Sequence, residues 1–126
     1  MVTFSEVLVA ANIGIILFFS VVITPIVFKN LPPEFASKYL RAFFPRLYIT
    51  LFITSTAAAL FISDTNSSVI LGIVAVLFLL SFWPLTPAIN KATDTNQKFK
   101  FKVLHSLSVF ILLGQLAAFL FLLAQR

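Results

Sequence analysis

Cysteine is absent from the chain, which excludes disulfides, thiolate-bound zinc and iron–sulfur clusters. Charge is scarce: only 10% of residues are Asp, Glu, Lys or Arg, against about 25% in soluble domains. There is one histidine, too few for a metal cage, which normally takes three or four protein ligands. No phosphate loop, HExxH pair or Ser-His-Asp arrangement is present. No carboxylate falls in the middle of an apolar run, where proton-coupled transporters and cation channels usually place one. No catalytic residue is therefore assigned, and no metal site.

What the chain has is apolar residue in long runs. Of its 126 residues 60% are hydrophobic, 16 of them Phe, with a mean hydropathy of +1.08. Four runs have the roughly 20 residues that a helix needs to cross a hydrocarbon core: about Val7 to Phe28, Pro45 to Ile62, Val69 to Ile89 and Val103 to Leu123. The expected fold is all-α, a four-transmembrane-helix bundle forming one membrane domain over residues 1–126. The first run has no base before it, carries Glu6, and has no small-residue cleavage pattern at its end. It reads as a retained span rather than a cleaved signal.

The net charge of +5 is explained by position and not by nucleic acid. The segment Lys29 to Arg46, which joins the first run to the start of the second, carries Lys29, Lys38, Arg41 and Arg46, and Lys91, Lys98, Lys100 and Lys102 fall between the third and fourth. Only Arg126 lies elsewhere; the remaining connection carries Asp64 and no base. By the positive-inside rule both basic connections face the cytoplasm, so both termini face outside. In the first connection, Pro32-Pro33-Glu34 is a helix start. Phe35, Tyr39, Leu40, Phe43 and Phe44 then recur at helical spacing opposite Lys38 and Arg41. This predicts a short interfacial helix after the first span. Lys38, Arg41, Lys98, Lys100 and Lys102 are the expected lipid-headgroup contacts.

Proline and histidine mark the cytoplasmic third. Thr24-Pro25 followed by Lys29, and Thr86-Pro87 followed by Lys91, form a weak internal repeat. Proline removes an amide donor and displaces the carbonyl four residues back, so Pro25, Pro84 and Pro87 either kink the bundle or open polar carbonyls at one depth. His105 enters the fourth span at a similar depth, with Ser108 and Gln115 roughly on its face. Its imidazole is open to three roles: hydrogen-bonded strut, proton or substrate contact, or haem ligand. Deeper in the membrane, Asn12 and Gln115 are expected as interhelical polar contacts within reach of each other. Small residues spaced by four (Ala10 and Gly14; Thr50, Thr54 and Ala58; Gly114 and Ala118) predict close backbone packing.

Several strings carry a family likeness. Phe18-Phe19-Ser20, Thr24-Pro25-Ile26-Val27-Phe28 and Phe44-Pro45-Arg46-Leu47-Tyr48 resemble the transmembrane protein 205-like family of unknown function. So do Pro87-Ala88-Ile89-Asn90-Lys91-Ala92-Thr93-Asp94 and Phe101-Lys102-Val103-Leu104-His105-Ser106-Leu107-Ser108. The resemblance implies a small four-span protein of the kind common in bacterial inner membranes, distantly akin to copper-resistance and protoporphyrinogen-oxidase-like membrane proteins. It points to a cytoplasmic-side polar pocket of Pro25, Arg46, Pro87, Asp94, His105 and Ser108. Sixteen Phe give large apolar outer faces, and four short helices enclose little room. The first functional expectation is a non-enzymatic protein that packs as a homo-oligomer or accessory subunit, with lipids and other membrane chains as partners and no cofactor. The alternative is a small transporter or a haem- or metal-handling protein using the pocket around His105.

Overall fold

The structure, a computed structural model, describes all 126 residues and is helical almost throughout. Four helices are long and apolar enough to cross a membrane: α1 (Phe4–Asn30), α2 (Pro33–Phe61), α3 (Thr65–Asp94) and α4 (Lys98–Ala124). They run up and down in sequence order. α2 packs on α1 and α3, α4 packs on α3 and closes against α1, and the diagonal pairs face each other across the bundle axis.

Three of the four helices begin where local chemistry supplies a start. Thr3 caps α1 in a reciprocal box, its hydroxyl accepting from the Glu6 amide at 3.2 Å while Glu6 accepts from the Thr3 amide. Pro33 opens α2 at a position where no amide donor is needed. Asp64 caps α3 by accepting from the Ser67 amide at 3.0 Å. Between α3 and α4, Asn96 takes a left-handed backbone (φ 55°), which Asn tolerates better than most residues, and the Gln97 amide turns back to the Ala92 carbonyl.

The end that carries both termini is tied by side chains. Neighbouring helices bond carbonyls in the last turn of α2: Ser5 of α1 donates to Ala58 O, which also accepts from the Ile62 amide, and Ser68 of α3 donates to Ala59 O, at 2.9 and 2.8 Å. Arg126 reaches Asp64 at 2.9 Å and the Ser67 hydroxyl at 2.8 Å. Bonds from Ser67, then Arg126, hold the Asp64 carboxyl down at about 2. The core runs along the bundle, with Leu51, Ala58, Leu71, Phe78 and Phe119 fully buried and the last two rings stacked 6.2 Å apart.

The structure departs from the expected plan in three places. The segment after the first span is not a separate interfacial helix. It forms the opening turns of α2, which runs unbroken through Pro45. Ala36 and Leu40 are buried in the bundle, and this packing keeps the segment in line at the cost of the one amide bond that Pro45 cannot make. At 1.5 Å per residue the 29-residue α2 is about 43 Å long, more than the roughly 30 Å hydrocarbon core, so its basic end projects into the headgroup region.

Secondly, Asn12 and Gln115 do not bond each other. Asn12 donates to the Ser55 hydroxyl at 3.2 Å and accepts from Thr54 at 2.7 Å, joining α1 to α2. Gln115 donates to Val74 O at 3.0 Å, joining α4 to α3, and its Oε1 is buried without a partner. Each amide serves the neighbouring pair of helices. Thirdly, the glycines do not make close contacts within the bundle. Ala10, Gly14 and Gly114 lie at the outer surface, and a Cβ added at Gly14 or Gly114 would meet nothing within 4 Å. The small residues at helix contacts are Ser5, Ser55, Ala58, Ser67 and Ala75, all buried.

Candidate functional site

The two Thr-Pro pairs do more than bend their helices. Before each, the chain widens into a π-turn, over Phe18–Ile23 in α1 and Ser81–Leu85 in α3. In each turn the threonine amide bonds the carbonyl five residues back: Thr24 to Phe19, and Thr86 to Ser81. The Thr86 hydroxyl bonds that same carbonyl at 2.6 Å. The missing proline amide is thus absorbed by a change of helical register. Near the second turn the backbone at Trp83 is extended (φ −157°, ψ 127°), and the Trp83 side chain lies exposed. The weak repeat read from sequence shares the threonine-to-carbonyl bond at both copies, but only the second copy has an extended residue, Trp83, within its turn.

At this depth the helices leave a cavity of about 410 Å³, lined by all four. α1 contributes Phe19, Ser20, Thr24 and Phe28; α2 contributes Ser37, Leu40, Arg41, Phe44 and Tyr48. α3 contributes Thr86, Ile89, Asn90 and Thr93, and α4 contributes Phe101, His105, Ser108, Val109 and Leu112. The bundle encloses more room than the sequence suggests. Half of the lining residues are apolar, four of them Phe, and the other half carry polar groups; the volume falls in the usual range of about 300–1,000 Å³ for a small-molecule site.

Of the six pocket residues named from sequence, His105 and Ser108 line this cavity. Pro87 and Asp94 line an adjoining cleft with Pro45, Phe82, Trp83, Thr86, Asn90 and Lys91. Pro25 and Arg46 line neither: Pro25 faces outward, and Arg46 bonds the Ala42 carbonyl of its own helix at 2.7 Å. The His105 ring bonds no neighbouring helix, as a strut would; it stacks on Phe101 with centroids 5.4 Å apart and planes 10° from parallel. The Ser108 hydroxyl donates to the His105 carbonyl at 2.7 Å.

Arg41, expected at lipid headgroups, is instead half-buried in a two-pronged pair with Asp94, at 2.6 and 3.0 Å. This pair links α2 to the end of α3 at the mouth of the cavity. Lys38, Lys98, Lys100 and Lys102 are exposed. Sequence reasoning missed Tyr48, Thr24, Thr86 and Asn90 as lining residues. Tyr48 is the most informative of them: the residue is 5% exposed and lines the cavity, and its hydroxyl makes no hydrogen bond within the chain.

A family model matches residues 7–98, most of the chain, and its description is "Domain of unknown function (DUF4149)". The chain belongs to this family. No curated protein and no solved structure matches it. The DUF4149 match covers α1, α2 and α3 and stops at the start of α4, so that His105 and Ser108 lie beyond it while Arg41, Tyr48, Thr86 and Asp94 lie within it. The match gives no support to kinship with transmembrane protein 205-like, copper-resistance or protoporphyrinogen-oxidase-like proteins. The chain stands as an integral membrane protein of a family without an assigned activity.

Proposed function

We propose that this DUF4149 protein is a non-enzymatic membrane protein that binds a small amphipathic molecule in the cavity at its basic end, as a small carrier does. The observation that carries the reading is the cavity itself, which all four helices line and where both π-turns present their threonines. The distribution of bases supports an orientation with this end in the cytoplasm and both termini outside. The membrane proposed is the bacterial inner membrane. No haem or metal is part of this reading: the lining offers one imidazole, and no cluster of three acidic, Cys or His residues exists to hold an ion.

The experiment is native mass spectrometry of the protein released from lipid nanodiscs after incubation with dodecanol. One alcohol per chain is expected to remain bound, and Ser108→Trp, which fills the cavity, is expected to remove it. Absence of the adduct, or an adduct indifferent to Ser108→Trp, overturns the reading. The same preparation is expected to lack a Soret band; a band lost on His105→Gln would favour the haem alternative.

A second reading rests on a different observation. Ala10, Gly14 and Gly114 lie at the surface with open space beside both glycines, where the backbone of another membrane helix has room to approach. This supports packing as a homo-oligomer or accessory subunit. Gly14→Leu with Gly114→Leu is then expected to abolish association in mild detergent without unfolding the monomer. Unchanged association would remove this reading.

A further inference from the structure

The cavity also specifies the polarity of its occupant. Its lining contains one charged residue, Arg41, and no carboxylate; Asp94, which pairs with Arg41, faces the adjoining cleft instead. About 10 Å deeper along α2, seven residues on at 1.5 Å each, the nine-tenths-buried Tyr48 brings a hydroxyl with no partner in the chain. That hydroxyl opens on the cavity rather than into packed protein, so it is free to bond an acceptor or donor that enters. Arg41 offers donors only, in a fork that fits a carboxylate or phosphate as well as it fits Asp94. Lys38 lies one turn before Arg41, and Lys98 and Lys100 in the first turn of α4 are exposed at the same end of the bundle, so the field at this end attracts anions.

Resting on the cavity reading above, we infer that the occupant is an acid-headed amphiphile: its carboxylate or phosphate displaces Asp94 from Arg41, and its apolar body carries an acceptor that reaches Tyr48. The Arg41–Asp94 pair then acts as the competitor that the ligand's head must replace. Both partners are partly exposed, with side chains 34% and 59% accessible, and an exposed ion pair is weak enough to exchange.

The test uses chain-matched probes on the intact protein in nanodiscs: dodecanoate, dodecanol and dodecyltrimethylammonium. Dodecanoate is expected to bind about tenfold or more tightly than dodecanol, as a charge-assisted contact replaces a neutral one, and the cation most weakly. Arg41→Gln is expected to erase the advantage of the acid. Asp94→Asn, which frees Arg41 without removing it, is expected to tighten dodecanoate severalfold and leave dodecanol unchanged. An oxo-substituted dodecanoate is expected to gain over the plain acid, and Tyr48→Phe to cancel that gain.

Discs of phosphatidylglycerol and of phosphatidylcholine separate two sources of the same chemistry. Displacement of dodecanoate only in the former names a bilayer lipid as the natural source. Equal binding in both names a free acid. Either result supports an acidic head. Equal affinities for the three head groups, preference for the cation, or weaker acid binding in Asp94→Asn overturn the inference while leaving the cavity reading standing. Failure of all three probes, dodecanol included, removes the cavity reading itself.

Discussion

A cysteine at Asn66 is expected to react fully with an impermeant thiol reagent added outside intact cells, and one at Thr95 not at all until the membrane is opened. The chain has no cysteine of its own, so each variant carries a single reporter. Both positions are exposed, Asn66 in the first turn of α3 and Thr95 just after its last residue. The warrant is the distribution of bases. Eight of the nine lie at one end of the bundle, in or beside the two short connections where the positive-inside rule applies, and the α2–α3 connection has none. The reverse pattern would turn the cavity toward the outside and give its ligand a different source.

The two buried amides should respond in opposite ways to leucine. Asn12→Leu removes both the donor that meets Ser55 and the acceptor that meets Thr54. Within a bilayer such interhelical bonds are worth about 0.6 kcal/mol on average and about 1.7 at most. The loss of two, with hydroxyls left to find other partners, is expected to cost about 1–2 kcal/mol. Gln115→Leu removes a single bond, to a carbonyl within a regular helix, and also removes the orphaned Oε1. Relief of an unpaired buried acceptor offsets the lost bond, so this change is expected to be neutral or slightly stabilising. Unfolding in mixed detergent, followed for the two variants beside the wild type, reads the contrast. Equal losses would contradict the hydrogen bonding described for both residues.

The sequence was legible where the solvent decides and illegible where neighbours do. Apolar runs, the Pro32-Pro33-Glu34 helix start and the basic connections follow from transfer energies and local backbone chemistry, so four spans could be read directly. Their ends could not. The Pro33–Phe44 segment has the periodicity of a surface helix, yet Ala36 and Leu40 are buried by contact with other helices, and only tertiary packing distinguishes the two cases. Gly14 and Gly114 have the spacing of close-packed helices, but spacing does not reveal which face turns inward. In the site, His105 and Ser108 were legible as polar residues at one depth of one helix. Arg41 and Asp94 lie 53 positions apart, and nothing in either segment announces the partner. Tyr48 reads as one aromatic in a run of aromatics until the absence of a partner for its hydroxyl becomes visible in three dimensions. The repeated Thr-Pro pair was the signal that could have led further: it marked the two helices that widen, although the π-turns themselves depend on where the displaced amides find carbonyls.

The most direct measurement is the reactivity of a single cysteine inside the cavity. Ser108→Cys, in vesicles that expose the basic end, is expected to react with a small impermeant methanethiosulfonate, and dodecanol is expected to slow the reaction about tenfold while a cysteine at the exposed Asn30 keeps its rate. A cysteine at 108 that reacts from neither side, or that reacts equally fast with and without the alcohol, would contradict a ligand-binding cavity between the four helices.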